Sequence, residues 1–166
     1  MTELSEDRHW WFASRTRAIE AVLRGRARAG GLRVLDVGCG AGNMMHHLAQ
    51  YGKVKGIEID PRPRKLAQQR GYDAQLADAS AGFPSPDAQF DLVAALDVIE
   101  HAQDDERILR EAYRVLTPGG HVIVTTPAFM FLWSHNDVLN AHVRRYTAGE
   151  LRRKMEAAGF RVKRLT

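Results

Sequence analysis

Short apolar runs without alternation, each followed by a segment of helical spacing, constrain this chain more than any other feature. Candidate strands fall at Arg33–Val37, Val54–Ile59, Asp73–Leu76, Phe90–Leu96 and His121–Thr126, with a weaker one at Phe160–Leu165. Between them, Asn43–Tyr51, Arg62–Arg70, Asp104–Leu116 and Ala148–Ala158 read as helices. Strands that are apolar on both faces belong in a parallel sheet covered on both sides. Repeated strand–helix–strand units then require right-handed crossovers, which makes a doubly wound, Rossmann-like α/β sheet the expected fold. Thr117-Pro118-Gly119-Gly120 stops the helix before the fifth strand, and Thr147-Ala148-Gly149-Glu150 reads as a capping box opening the last helix. Ahead of the sheet, Arg15–Arg28 is amphipathic, with Ile19, Val22 and Leu23 on its inner side. Phe83–Gln89, carrying Pro84 and Pro86, reads as a loop.

Composition narrows the class. At 166 residues, 45% apolar and 27% charged, the chain suits one domain that buries about 70% of its unfolded surface. Disordered, collagenous and disulfide-scaffold readings are excluded. The single cysteine, Cys39, forms neither an internal disulfide nor a multi-thiolate zinc site, which fits a reducing cytoplasm. No apolar run reaches the ~18–20 residues that span a bilayer, and Met1–Asp7 is too acidic for a signal peptide. The expected protein is soluble and cytoplasmic. Residues 142–166 hold eight basic and two acidic side chains against sixteen and eighteen in residues 1–141. A solvated helix face accounts for that excess, and a nucleic-acid partner is not expected.

The chemistry concentrates in Val34-Leu35-Asp36-Val37-Gly38-Cys39-Gly40-Ala41-Gly42-Asn43, a buried strand running through a glycine-rich turn into a helix. Such a turn lets the backbone approach a ligand, and the free amides beyond it favour a negative group. Either a pyrophosphate or an amino-acid carboxylate would fit. Asn43 stands where the dinucleotide fingerprint wants glycine, and Asp36 puts a carboxylate near the turn, unwelcome beside a pyrophosphate but useful beside an ammonium or sulfonium. Glu58 ends the next strand twenty residues beyond Gly38, placed to accept from ribose hydroxyls, and Asp78 ends the third, able to cap a turn or meet an adenine amino group.

These motifs together resemble those of the class I S-adenosylmethionine-dependent methyltransferases that act on small molecules. Val34–Gly42 is similar to the family's first motif, Gly56-Ile57-Glu58-Ile59-Asp60 to the second and Ala77-Asp78-Ala79 to the third. Phe90–Val93 with Asp97-Val98-Ile99-Glu100-His101 resembles the fourth, and Arg114–Gly120 resembles the approach to the fifth strand. The resemblance implies S-adenosylmethionine as cofactor and S-adenosylhomocysteine as its product. It implies Gly38, Cys39 and Gly40 beneath the methionine moiety, Asp36 near its amino group and the helix start at Asn43 and Met44 facing its carboxylate. It further implies Glu58 on the ribose, Ile59 against the adenine, Asp78 and Ala79 at the adenine edge, and Leu96 and Asp97 beside the sulfonium. His9-Trp10-Trp11-Phe12 with Arg15 resembles the aromatic opening by which an N-terminal helix covers the cofactor, or else seals a core edge.

On that resemblance the chain divides into a cap region at 1–30, a cofactor-binding core at 31–127 and an acceptor side at 128–166. Trp133, His135, Arg145 and Tyr146 are candidate acceptor contacts. His101 and His142 are candidate bases for an acceptor whose proton must leave. The His135–His142 spacing lacks a supporting thiolate or carboxylate pattern, so no metal is expected. The family sheet has seven strands, the last antiparallel; here the pattern stops at six, leaving an edge through which a homodimer is expected. The expected activity is in-line methyl transfer to a small-molecule acceptor. The alternatives are a non-catalytic module that binds the cofactor or an anionic partner and, disfavoured by Asn43, a nicotinamide-dependent oxidoreductase.

Overall fold

The sheet forms where unalternated apolar runs can be covered from both sides. In the computed structural model, which describes residues 8–24 and 31–166, five strands run parallel in the order β3-β2-β1-β4-β5. They are β1 Leu32–Val37, β2 Gly52–Glu58, β3 Asp73–Leu76, β4 Phe90–Leu96 and β5 Leu116–Thr125. The helices are α1 Trp10–Leu23, α2 Asn43–Leu48, α3 Pro61–Gln69, α4 Asp105–Val115, α5 His135–Leu139 and α6 Ala148–Ala157. In β1 and β4 alternate residues go to opposite faces. Val34, Leu92, Ala94 and Leu96 pack with Ile19 and Leu23 of α1 and Met44 and Leu48 of α2. Leu35, Val37, Val93 and Ala95 pack with Ile108, Leu109, Ala112 and Val115 of α4. The doubly wound expectation therefore holds.

Helix ends follow their local chemistry. Asp60 caps α3 by accepting from Arg62 N–H at 2.8 Å, with Pro61 at the first helical position. Thr147 and Glu150 form the expected capping box of α6, at 3.2 Å and 2.7 Å. The predicted loop Phe83–Gln89 is a loop, clasped by Arg114, which donates to the carbonyls of Phe83 and Ser85 and pairs with Asp87 and Glu111. Helix α1 begins earlier than predicted, and residues 25–28 of that prediction lie outside the described residues, as do Met1–Asp7.

The sixth strand, predicted at Phe160–Leu165, is not formed. Glycine at 159 adopts a φ of 104°, its N–H returns to the Glu156 carbonyl, and the Phe160 N–H returns to that of Met155. That pattern is a Schellman closure of α6, and it turns the chain before a ladder can start. Phe160 then packs edge-to-face on Tyr113, ring centroids 5.2 Å apart. A cavity of about 890 Å³, lined by β5, α1, α6 and residues 159–166, lies beside the edge of β5.

The strand order reverses between β1 and β4, the point where open α/β sheets leave a crevice at their carboxyl ends.

Candidate functional site

That crevice is built from the ends of β1, β2 and β4. Leaving β1, Gly38 and Cys39 both donate to the Ile57 carbonyl, at 2.8 and 3.0 Å, which pins the turn to β2. Gly38 has a φ of 67°, and an added Cβ would lie 2.7 Å from Val98 Cγ2; Gly40, at 55°, faces open space. A chain with side chains at these positions would be strained and would close the approach to the turn.

Two carboxylates flank the turn. Glu58 ends β2 buried and takes the Gly40 N–H at 2.8 Å on one oxygen and the Asp60 N–H at 2.9 Å on the other. It thereby locks the turn while each oxygen keeps a lone pair. Asp36 is 2% exposed, and among the described residues its Oδ2 has no hydrogen-bond partner. Burial pushes its carboxyl up to about 7, against the opposing pull of the Arg15 guanidinium. Arg15 comes from α1: it pairs with Asp97, and its Nε is buried without a partner. An acceptor and a donor are thus left buried and unpartnered, on two residues close enough to interact electrostatically, which is seldom found unless a ligand meets them.

At the end of β4, Asp97 holds a φ of 57°, uncommon for a residue other than glycine. Thr125 enforces it twice, by taking the Asp97 N–H at 3.0 Å and donating its hydroxyl to Oδ1 at 2.8 Å. The 3-10 turn Ile99–His101 follows and brings His101 to the crevice, where it lines a cleft of about 150 Å³ with Gly38, Glu58, Ile59, Asp78, Ala79 and others. The larger cavity along β5 contains none of the glycine-turn residues. The convergence of carboxylates, open backbone and switch point favours the smaller cleft as the site.

Residues 128–146 reach the cleft only through His101, on which His142 packs. Asp137, buried at the end of α5's first turn, binds Arg145 through both oxygens at 2.8 and 2.9 Å, accepts from Ser134 N–H at 2.7 Å and meets His142 Nδ1 at 2.9 Å. The Arg145 guanidinium holds this carboxyl well below the usual range. His142 lies against His101, ring centroids 4.8 Å apart. Burial and His142 lower the pKa of His101.

A family model for a methyltransferase domain matches residues 9–165. A Mycolicibacterium smegmatis relative, by name a probable S-adenosylmethionine-dependent methyltransferase, is 34% identical over 96% of this chain and 62% of its own length. This chain belongs to the class I S-adenosylmethionine-dependent methyltransferases. The ubiquinone biosynthesis O-methyltransferase of Pseudomonas entomophila is 35% identical over 61% of this chain and 47% of its own length. A Thermotoga maritima S-adenosylmethionine-dependent methyltransferase structure superposes with a TM-score of 0.75 at 27% identity, over 90% of this chain and 71% of that one. The chain spans about half to three fifths of the curated relatives it matches.

In this methyltransferase domain Gly38, Cys39 and Gly40 of the first motif are held against β2. Gly38 and Glu58 line the cleft with Ile59, which is 64% exposed and offers a free apolar face, while Asp36 is buried and Gly40 is hydrogen-bonded to Glu58. The side chains of Cys39 and Met44 are buried in the core. The Cys39 side chain packs with Met45 and Ala67, and burial pushes its thiol up to about 12; Met44 packs beneath α1. Asn43 Oδ1 accepts from Arg70. Asp78 caps its own turn through Ser80 N–H at 2.8 Å. Leu96 is part of the core. Trp133 and His135 stand at the surface. Arg145 is engaged by Asp137, and Tyr146 is buried, donating to Asp105 Oδ2 at 2.7 Å. Sequence reasoning missed Thr125, Asp137 and the pairing of Arg15 with Asp97, which lies 82 residues away; no local motif marks such contacts.

Proposed function

We propose that this chain binds S-adenosylmethionine at the glycine turn and transfers its methyl group to a small-molecule acceptor. The observation that carries this reading is the buried, unpartnered Asp36 Oδ2 beside a turn locked by Glu58. A site with a bare carboxylate and open glycine backbone suits a ligand bearing an ammonium group, and an orphaned Arg15 Nε suits the carboxylate of the same amino acid. When bound, the cofactor supplies a methyl carbon already activated by its sulfonium leaving group.

The chain's own residues then orient and shield. Asp36 meets the amino group, the Gly38–Gly40 backbone passes beneath the methionine chain, and the α2 start at Asn43 and Met44 faces its carboxylate. Glu58 accepts from the ribose with the lone pairs that Gly40 and Asp60 leave, while Ile59, Asp78 and Ala79 take the adenine. Asp97 and Leu96 sit toward the sulfur. Orientation of this kind contributes ~7–11 kcal/mol to barrier lowering. His142, its ring steadied by Asp137, and His101 are the groups placed to hold a proton leaving a hydroxyl acceptor. Trp133 and His135 are its candidate contacts; Arg145 and Tyr146 support that segment from within.

Calorimetry with S-adenosylhomocysteine and with NAD tests the reading. Binding of the former with micromolar affinity and none of the latter is the expected result. The reverse order would replace it with the oxidoreductase reading. Among the described residues the outer edge of β5 has no strand partner, and a second copy is the partner proposed for it; a sedimentation profile unchanged with concentration would remove that proposal. No helix among the described residues is long and apolar enough to cross a membrane, and a cytoplasmic location is proposed on the free, buried Cys39.

A further inference from the structure

Glu100, His101 and His142 each bring one ligand atom to a cluster whose members all lie within 4.8 Å of one another. Two come from the 3-10 turn after β4. The third comes from the loop after α5, which the Val143 N–H ties to the Glu100 carbonyl at 2.8 Å. We propose that these three side chains form a binding site for a divalent transition-metal cation with zinc-like preferences. Two imidazoles and one carboxylate suit such an ion, and three protein ligands leave a coordination position open.

Glu100 carries the first argument. Its side chain is fully buried, and Oε2 accepts only a long 3.3 Å bond from the Thr126 hydroxyl. Oε1 has no hydrogen-bond partner among the described residues. A carboxylate oxygen left bare in the interior is costly, and a bound cation would satisfy it.

The two imidazoles carry the second. Asp137 is an acceptor held ionised by Arg145, so the His142 nitrogen facing it, Nδ1 at 2.9 Å, is the protonated one. Nε2 then keeps its lone pair. The backbone at Ala141 and Asn140 faces the His101 ring. A carboxylate behind an imidazole, as at His142, is a support that orients metal-ligating histidines. The nearby cationic groups are committed elsewhere, Arg15 to Asp97 and Arg145 to Asp137. The sequence pattern could not disclose this set, because the histidine spacing that invited a metal reading, His135–His142, is not the pair that converges.

His101 also lines the cofactor cleft. An oxygen donor on the acceptor therefore completes the coordination, and with the cation bound the imidazoles act as ligands in place of holding a proton. This consequence rests on the methyl-transfer reading; the cation site itself does not.

The test is titration of the metal-stripped full chain with zinc chloride, read by calorimetry, and with cobalt chloride, read by visible absorption, both without cofactor. One equivalent is expected to bind in the micromolar range or tighter, with a cobalt spectrum of four-coordinate character. Glu100→Gln and His142→Ala are expected to weaken zinc at least ~100-fold, and Asp137→Asn by ~10–100-fold as a support lost behind a ligand. His121→Ala, at the start of the β5–β4 pairing, is the control and keeps full affinity. Circular dichroism verifies that each variant is folded, and the exposed His101→Ala serves where a buried change unfolds the chain. Zinc weaker than ~1 mM for the wild type, or equal zinc affinity in wild type, His101→Ala and His142→Ala, overturns the proposal. Homocysteine-nucleoside binding measured on the same samples separates this result from the fate of the methyl-transfer reading.

Discussion

The two walls of the proposed site are made in different ways. On the cofactor side a single run, Val34–Gly42, supplies strand, turn and helix start, and Glu58 on the neighbouring strand locks it through two backbone N–H groups. On the acceptor side no run suffices. Asp97, Glu100 and His101 after β4 meet Thr125 and Thr126 at the end of β5, Arg15 from α1 and the Asp137–His142–Arg145 cluster. The first wall is backbone held by short-range geometry; the second is side chains held by one another. That contrast teaches why a fold can keep one cofactor and change its acceptor: the second wall can be rebuilt by side-chain replacement without disturbing the first.

The sharpest way to break the contrast is Gly38→Val. A branched side chain at positive φ, with its Cβ 2.7 Å from Val98, is expected to reduce S-adenosylhomocysteine affinity at least ~100-fold by calorimetry, the turn being displaced by a strain of a few kcal/mol. Undiminished affinity would mean that the backbone of the turn does not hold the ligand.

His142→Ala acts on the other wall. Turnover is expected to fall by ~100-fold while cofactor affinity stays within a factor of about two, since the ring touches none of the turn residues. A matched loss of both would show that the two walls are not separable.

Next in size is pH. Asp36 has its carboxyl raised from 3.8 to about 7 by burial, so this group's own contribution favours the ligand-free fold below about pH 4 and turns against it as pH rises through 7. The bound ammonium needs the ionised form. Affinity is therefore expected to rise ~10-fold between pH 6 and 8, from the change in ionised fraction, and Asp36→Asn should flatten that profile. A profile unchanged by the substitution would take Asp36 out of the site.

The smallest effect is expected for Tyr146→Phe. It removes a buried hydroxyl from Asp105, which keeps Arg144 and Lys154, and should cost about 1 kcal/mol in denaturant melts without altering cofactor affinity. A change in acceptor KM with no change in stability would instead make Tyr146 a direct contact.

Legibility in the sequence follows the same division. The doubly wound parallel sheet could be anticipated because β1 and β4 are largely apolar without alternation and the connections are helical. Asp36, Gly38 and Gly40 could be placed because they lie within one β–turn–α unit, and Glu58 because it ends the adjacent strand. Asp137 could not, since its partners are set by the packing of α5 rather than by spacing. Arg145 reads as a free cation in the sequence, yet the structure gives both its terminal donors to Asp137 and Ala128. The sixth strand was misread because Phe160-Arg161-Val162 has strand composition, while Gly159 ends α6 in a closure that composition does not reveal.

The most direct measurement is a crystal structure with S-adenosylhomocysteine. The expected result places the ribose hydroxyls on Glu58 and the amino group at Asp36 Oδ2. Nucleoside density in the cavity along β5, or none at saturating concentration, would contradict the assignment of the cleft.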